Sequence, residues 1–249
     1  QAPTGIGKTV GTLFPMLKAL APQQLDKVFF LTAKTPGRKL ALDAAQVILD
    51  SGAQPPLRVL EMIARDKACE HPDKACHGEA CPLARGFYDR LPHARAAASQ
   101  ITLLDQAALR DIALAHDICP YYLSQEMARW ADVVVADYNY YFDFSALLFG
   151  LAQANGWTVA TLVDEAHNLV ERGRQMYSAT LDQSDLAAVR KTAPETLKKA
   201  LQRVNRQWNA LHEPQVAVYQ AYEKPPEKLL QALSLCTTLA AAVLFQPIL

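Results

Sequence analysis

Two short segments far apart in the chain, Ala2-Pro3-Thr4-Gly5-Ile6-Gly7-Lys8-Thr9 and Asp164-Glu165-Ala166-His167, constrain its fold more than anything else in it. The first has the glycine spacing that lets backbone N–H groups close around a polyphosphate, where a Cβ at Gly5 or Gly7 obstructs the approach. Lys8 then offers a point charge to the outer phosphates, and the Thr9 hydroxyl can join a Mg²⁺ shell. The second segment supplies a carboxylate pair, Asp164 to hold Mg²⁺ and Glu165 to orient or deprotonate an attacking water. Together they define the two halves of a nucleotide-hydrolysing site, with Pro3, Thr4, Gly5, Ile6, Gly7, Lys8 and Thr9 as the phosphate loop.

The flanking residues fit that assignment. Lys8 to about Leu20 reads as a helix whose N-terminus faces the phosphates, with Pro15 expected to kink it or end its first part. Trp157 to Val163 is an apolar, β-branched run ending at Asp164, as expected of a buried parallel strand delivering a carboxylate to its C-terminal edge. Each motif alone has a plainer explanation, a chance Gly/Thr loop or an acidic helix cap; their order and context agree in favour of the site.

A chain of 249 residues, half of them hydrophobic, can bury a sizeable core in one or two domains. Its formal net charge of +0 gives no global attraction to nucleic acid, so any such contact must come from local patches. The first residues do not read as a signal peptide. Leu229 to Phe245 is apolar but interrupted by Gln231, Ser234, Thr237 and Thr238, which favours a core helix over a membrane span.

Between the nucleotide motifs stand Cys69, Cys76, Cys81 and Cys119, spaced C-x6-C-x4-C-x37-C. Disulfides are out of keeping with an intracellular nucleotide hydrolase. The first three lie among His71, Pro72, Asp73, Lys74, His77, Gly78 and Glu79, a setting too polar for core thiols. A metal centre is favoured: four thiolates suit Zn²⁺ or an iron–sulfur cluster, and His71 or His77 could replace a thiolate at zinc. The absence of a C-x2-C knuckle counts mildly against zinc. Cys236, in the apolar stretch, reads as a small buried side chain.

With these residues assembled, the chain resembles the XPD/DinG family of superfamily 2 iron–sulfur DNA helicases almost end to end. The resemblance rests on Ala2 to Thr9, where Ala2 replaces the usual glycine as in some helicases, on Phe29-Phe30-Leu31-Thr32-Ala33-Lys34-Thr35, on Arg65-Asp66-Lys67-Ala68-Cys69, on Cys119-Pro120-Tyr121-Tyr122, on Trp130 to Tyr138, and on Asp164 to Leu169. It implies a RecA-like α/β motor domain, a parallel sheet with flanking helices, carrying a cysteine-ligated insertion and a helical Arch segment. It further implies ATP and Mg²⁺ at the nucleotide site and a [4Fe–4S] cluster on Cys69, Cys76, Cys81 and Cys119. Arg65 is implied to support the cluster and the DNA path, and His167 to couple the γ-phosphate to movement between lobes. The implied activity is ATP-driven 5′-to-3′ movement on single-stranded DNA with unwinding at single-strand/duplex junctions. A nuclear setting is implied for a eukaryotic source and a cytoplasmic, nucleoid-associated one for a bacterial source; no membrane is expected, and no protein partner is specified.

The organisation expected is motor domain over residues 1–60, with a strand near Val28 to Leu31, a helix near Leu40 to Leu49 and a turn at Pro55 and Pro56; cysteine-bearing insertion over 61–122, ligation there replacing a hydrophobic core; motor domain again over 123–183, through strands at Val133 to Ala136 and Val159 to Val163; and the start of the Arch over 184–249. The last segment carries Arg190, Lys191, Lys198, Lys199, Arg203 and Arg206, beside an apolar stripe of Leu197, Leu201, Val204 and Trp208. Its basic face reads equally as solvated or as DNA-facing. Ser178-Ala179-Thr180-Leu181 spells a helicase coupling motif but stands too close to His167 for that role and reads as chance. Aromatic residues from Tyr121 to Phe144 are expected mostly in the core, one or two reaching DNA. The strand before the phosphate loop and a second motor lobe are expected outside these residues, so the chain alone is expected to be nearly inactive. The alternatives are a zinc-stabilised P-loop DNA-binding or scaffold module and a DEAH-type RNA helicase.

Overall fold

The residues with the strongest strand character form a parallel sheet, and their burial explains their composition. In the computed structural model, which describes residues 7–52 and 57–244, the chain runs α1 (Lys8–Ala19), β1 (Lys27–Thr32), α2 (Thr35–Asp50), β2 (Val59–Glu61), α3 (Arg65–Ala68), α4 (Phe87–Ala98), β3 (Leu103–Leu104), α5 (Gln106–Ala115) and α6 (Pro120–Met127). It continues through β4 (Val133–Asp137), α7 (Asn139–Phe142), α8 (Leu147–Asn155), β5 (Val159–Val163), a 3-10 turn (Ala166–Asn168), α9 (Leu169–Met176), α10 (Gln183–Thr192), α11 (Glu195–His212) and α12 (Glu227–Leu244). The expected phosphate-loop residues Ala2, Pro3, Thr4, Gly5 and Ile6, the turn at Pro55 and Pro56, and Phe245 lie outside the described residues.

Among the described residues the strand order is β3-β2-β4-β1-β5, all neighbours parallel. Every residue of β1 is buried, because both faces are covered. Phe29 and Leu31 point into one core with Leu60, Met62, Val134 and Tyr138, while Val28 and Phe30 point into the other with Leu13, Leu17, Ala41 and Ile48. That alternation is the strand period of two. β5 is parallel as its sequence suggested, yet it is only half-buried, since β1 is its one neighbour among the described residues.

One expectation is narrowed and one needs correcting. Helix α1 continues past Pro15 from Lys8 to Ala19, so the proline does not end it. Burial of Leu13 and Leu17 against the sheet contributes about 1.5–3 kcal/mol per side chain, enough to offset the roughly 3 kcal/mol that an interior proline costs. The segment between Cys81 and Cys119 also has a hydrophobic core. β3 pairs with β2, and Ala94, Ala98, Leu109, Ala113 and Ile118 join the same core as Phe29 and Leu31.

The chain forms two compact units, Gln1–Ser178 and Ala179–Leu249. In the second, Leu186, Leu201, Val204 and Ala232 form a small core with Leu197, Leu233 and Cys236 packed against it. No helix among the described residues is long and apolar enough to cross a membrane.

Candidate active site and cysteine region

Gly7 caps α1 in the left-handed region, at φ 74 and ψ 26. A Cβ there would meet nothing within 4 Å, so backbone conformation rather than crowding requires glycine at this position in the structure. The turn places Lys8 and Thr9 in the first turn of α1, where unsatisfied N–H groups and the helix dipole favour an anion.

Asp164 follows β5 directly and is fixed from three sides. Its N–H donates to the Leu31 carbonyl at 2.9 Å, continuing the ladder with β1. The Tyr138 hydroxyl donates to the Asp164 carbonyl. Gly37, in the first turn of α2, comes so close that an added Cβ would lie 3.0 Å from Asp164 Oδ2 and 3.2 Å from Thr32 Cβ. Tyr138 is fully buried, and burial pushes its phenol above the ordinary range, with Asp164 and Glu165 adding to the shift. Tyr138 therefore remains a donor at any physiological pH.

Glu165 has φ 49 and ψ 47, a left-handed conformation uncommon outside glycine and asparagine. The strain turns the chain sharply after Asp164 and is held by Asn168, whose N–H and side-chain amide both donate to the Glu165 carbonyl, at 2.9 and 3.1 Å. His167 Nδ1 lies 3.4 Å from Glu165 Oε2, both side chains being solvent-accessible. From α9, Arg172 donates to the Ala33 carbonyl at 2.9 Å and approaches Asp137 at 3.5 Å, tying the ends of β1 and β4 to the helix behind the acidic pair. Neither Arg172 nor Gly37 carried a motif signal of its own; only packing reveals their positions.

A cavity of about 370 Å³ opens beside this edge, where Arg65 gathers with Lys67, Arg172, Tyr121, Asp137 and Tyr140. The Tyr140 hydroxyl donates to the Ile63 carbonyl at 2.7 Å, fixing one wall. Arg38 lines the cavity too but is committed to Glu61 at 3.2 Å, a buried pair whose other carboxylate oxygen accepts the Gln106 N–H at 3.0 Å. Arg65, paired only loosely with Asp66 at 3.8 Å, keeps its charge available.

All four cysteines of this segment are free thiols; Cys69 and Cys81 lie near enough to Cys119, and Cys76 to Tyr122, to influence their acidity. Cys69 ends α3 and Cys119 is the N-cap of α6. Burial pushes the Cys119 thiol up; the Tyr121 and Tyr122 N–H groups oppose this without reaching capping geometry, and Cys69 and Cys81 raise it further. The Tyr122 phenol, raised mainly by burial, also feels Cys76 and Cys119. Among the described residues no three His, Cys, Asp or Glu side chains converge tightly enough for a single metal ion. The loop beyond Cys69 is stapled to α5 by Arg110, whose Nε and Nη2 meet the two Glu70 carboxylate oxygens at 2.7 and 2.9 Å.

A parallel sheet with a strained acidic turn at its C-terminal edge and a helix entered through a left-handed glycine defines an α/β domain of the P-loop nucleotide-hydrolase class. Residues 52–186 match the DEAD_2 family, and the chain belongs to it. It is 28% identical over 161 residues to "Regulator of telomere elongation helicase 1 homolog" of Anopheles gambiae, covering 58% of this chain and 16% of that protein. It is 34% identical over 88 residues to "ATP-dependent DNA helicase CHL1" of Saccharomyces cerevisiae (strain YJM789), covering 35% of this chain and 10% of that one. The chain thus spans less than a fifth of the length of these relatives. Among solved structures, "Truncated XPD" aligns with a TM-score of 0.55 at 20% identity, over 98% of this chain and 71% of its own, a likeness of fold. The resemblance to XPD-like iron–sulfur helicases read from the motifs is borne out.

Proposed function

We propose that the whole protein is an ATP-dependent DNA helicase that moves 5′ to 3′ on single-stranded DNA and opens duplexes at single-strand/duplex junctions. The observation that carries this reading is the three-sided fixing of Asp164 at the sheet edge, beside the strained Glu165 turn, in a chain of the DEAD_2 family. In it, Lys8 and the N–H groups opening α1 bind the outer phosphates, while Thr9 and Asp164 would hold Mg²⁺, which offsets phosphate charge when bound. Glu165 orients the attacking water and takes its proton, and His167, 3.4 Å from Glu165, relays the state of the site towards movement. Cys69, Cys76, Cys81 and Cys119 would hold a [4Fe–4S] cluster that orders the loop between them. Single-stranded DNA runs past the cavity of Arg65, Lys67 and Arg172, with backbone phosphates on the cations and bases on tyrosine faces. An intracellular setting follows from a DNA substrate.

Strand-stimulated hydrolysis and iron content together test the reading. Single-stranded DNA should raise ATP turnover of the whole protein above the level reached with single-stranded RNA, and anaerobically purified protein should carry about four irons per chain. Equal stimulation by RNA would favour an RNA helicase; stoichiometric zinc without iron would favour a zinc-stabilised module.

A further inference from the structure

Helix α2 is not held at its entry by capping: Lys34, its N-cap residue, makes no side-chain bond to the first turn, and no acidic residue stands in that turn. Yet the turn needs close placement, because Gly37 leaves no room for a methyl group against Asp164 Oδ2 and Thr32. The next residue supplies an anchor. Arg38 Nε donates to Glu61 Oε1 at 3.2 Å, both residues being buried, and the other Glu61 oxygen accepts the N–H of Gln106 at the start of α5. Arg38 Nη2 donates to Thr35 Oγ1 at 3.3 Å, bracing the turn from within. Glu61 ends β2 and Asp164 follows β5, so in the order β2-β4-β1-β5 two successive residues of one turn reach the ends of strands three places apart.

An ion pair this buried is a poor source of stability, since apolar residues of similar volume avoid the cost of taking two charges out of water. What apolar residues do not supply is direction, which a guanidinium and a carboxylate impose on each other. We infer that Arg38 and Glu61 are a positioning pair for Asp164: they fix the first turn of α2 and, through Gly37, the carboxylate that would hold the metal ion. The inference rests on the metal-holding reading of Asp164 above and extends it to two residues that act on the metal only through another.

The test uses the whole protein with Mn²⁺ and a non-hydrolysable ATP analogue, metal affinity being read by electron paramagnetic resonance. The double variant Arg38→Met, Glu61→Gln removes both charges and keeps an acceptor for the Gln106 N–H. It should keep the wild-type urea midpoint and lose about tenfold in Mn²⁺ affinity, the lower end of what removing support behind a metal ligand costs. Metal-free affinity for the analogue should not change, because Lys8 and the start of α1 are untouched. Arg38→Lys, which retains a cation for Glu61, should recover most of the lost Mn²⁺ affinity. In wild-type protein, Mn²⁺ with the analogue should slow hydrogen exchange at the Gln106 N–H, at the far end of the tether, a readout independent of how the variants fold. Unaltered Mn²⁺ affinity in the folded double variant, an equal fall in metal-free affinity, a loss in Arg38→Lys as deep as in the double variant, or no slowing at Gln106 would each overturn the positioning role. Asp164→Asn leaving Mn²⁺ affinity unaltered would instead overturn the metal-holding reading itself.

Discussion

Individual side chains divide here into those that perform chemistry and those that hold them in place. Lys8→Ala should weaken ATP binding and abolish turnover, whereas Glu165→Gln should bind ATP normally and lose about 10²- to 10⁴-fold in turnover, because only the water-activating group is gone. Equilibrium nucleotide binding beside single-turnover hydrolysis separates the two, and equal loss of affinity in both variants would contradict the assignment. Gly37→Ala is a positioning counterpart. Its methyl would press on Asp164 Oδ2 from 3.0 Å, so turnover should fall by roughly tenfold, approaching about 10²-fold if the carboxylate moves a full ångström. The acidic pair was legible in the sequence because strand, carboxylates and turn are contiguous there. Gly37, Tyr138 and Arg172 were not legible as site residues, since each acts through a contact with residues 26 to 139 positions away. Lys27 carries a pH signature of the same hidden kind. Its amine donates to the Ala131 carbonyl at 2.5 Å and the Arg129 carbonyl at 3.0 Å and sits 4.3 Å from the Trp157 ring. Burial pushes its pKa down to about 8, with Asp132 pulling the other way. The unfolded chain then binds more protons between pH 8 and 10.5, so this group's contribution to stability rises through that window. Urea unfolding of wild type against Lys27→Met should show the difference growing with pH, by less than about 1.4 kcal/mol per unit once solvent screening is allowed for; a flat difference would refute it.

At the scale of elements, the strands that read clearly were long apolar runs, two of them buried on both faces and the third, β5, half-buried. Val133 to Asp137 and Lys27 to Thr32 are continuous apolar, β-branched or aromatic runs because helices cover both sides of the sheet. β2 and β3 were invisible for the opposite reason: three and two residues carry too little pattern, and pairing alone defines them. Their presence changes what loss of the cysteines should do. Because α4 to α6 bury Ala94, Ala98, Leu109, Ile118 and Leu123 in the main core, that part of the segment has its own source of stability. Between Cys69 and Gly86 only Leu83 is a buried hydrophobic residue, so on the proposed reading order there would come from cluster ligation and the Arg110–Glu70 staple. Cys119→Ser, or removal of iron by chelation, should therefore abolish amide protection over about residues 69–86 and leave β3 and α5 protected in hydrogen exchange. Loss of protection as far as α6 would show that the cluster supports the whole segment.

For the whole molecule, the decisive fact is the inequality of its two units. The first is built on a sheet whose central strands are buried on both faces and flanked by two hydrophobic cores. The second rests, among its described residues, on five buried hydrophobic residues, Leu186, Ala200, Leu201, Val204 and Ala232, while α12 leaves Leu230, Leu235 and Leu239 at 49, 42 and 38% exposure. Apolar burial is the main favourable term in folding, and a unit of this size with so few buried side chains has little surplus over the entropy of ordering its backbone. It also lacks any strand pairing among its described residues, where α10–α11 and α11–α12 packing joins its helices. The two units should accordingly open separately: native-state hydrogen exchange in low urea should give amides of α10 to α12 a common opening free energy several kcal/mol below that of β1 and β4. A charge-retaining core truncation, Val204→Ala, should lower the first by about 1–3 kcal/mol and leave the second unchanged, because Val204 packs in the core of the second unit and β1 and β4 in those of the first. Identical opening free energies throughout, shifted together by Val204→Ala, would show that the chain folds as one cooperative body.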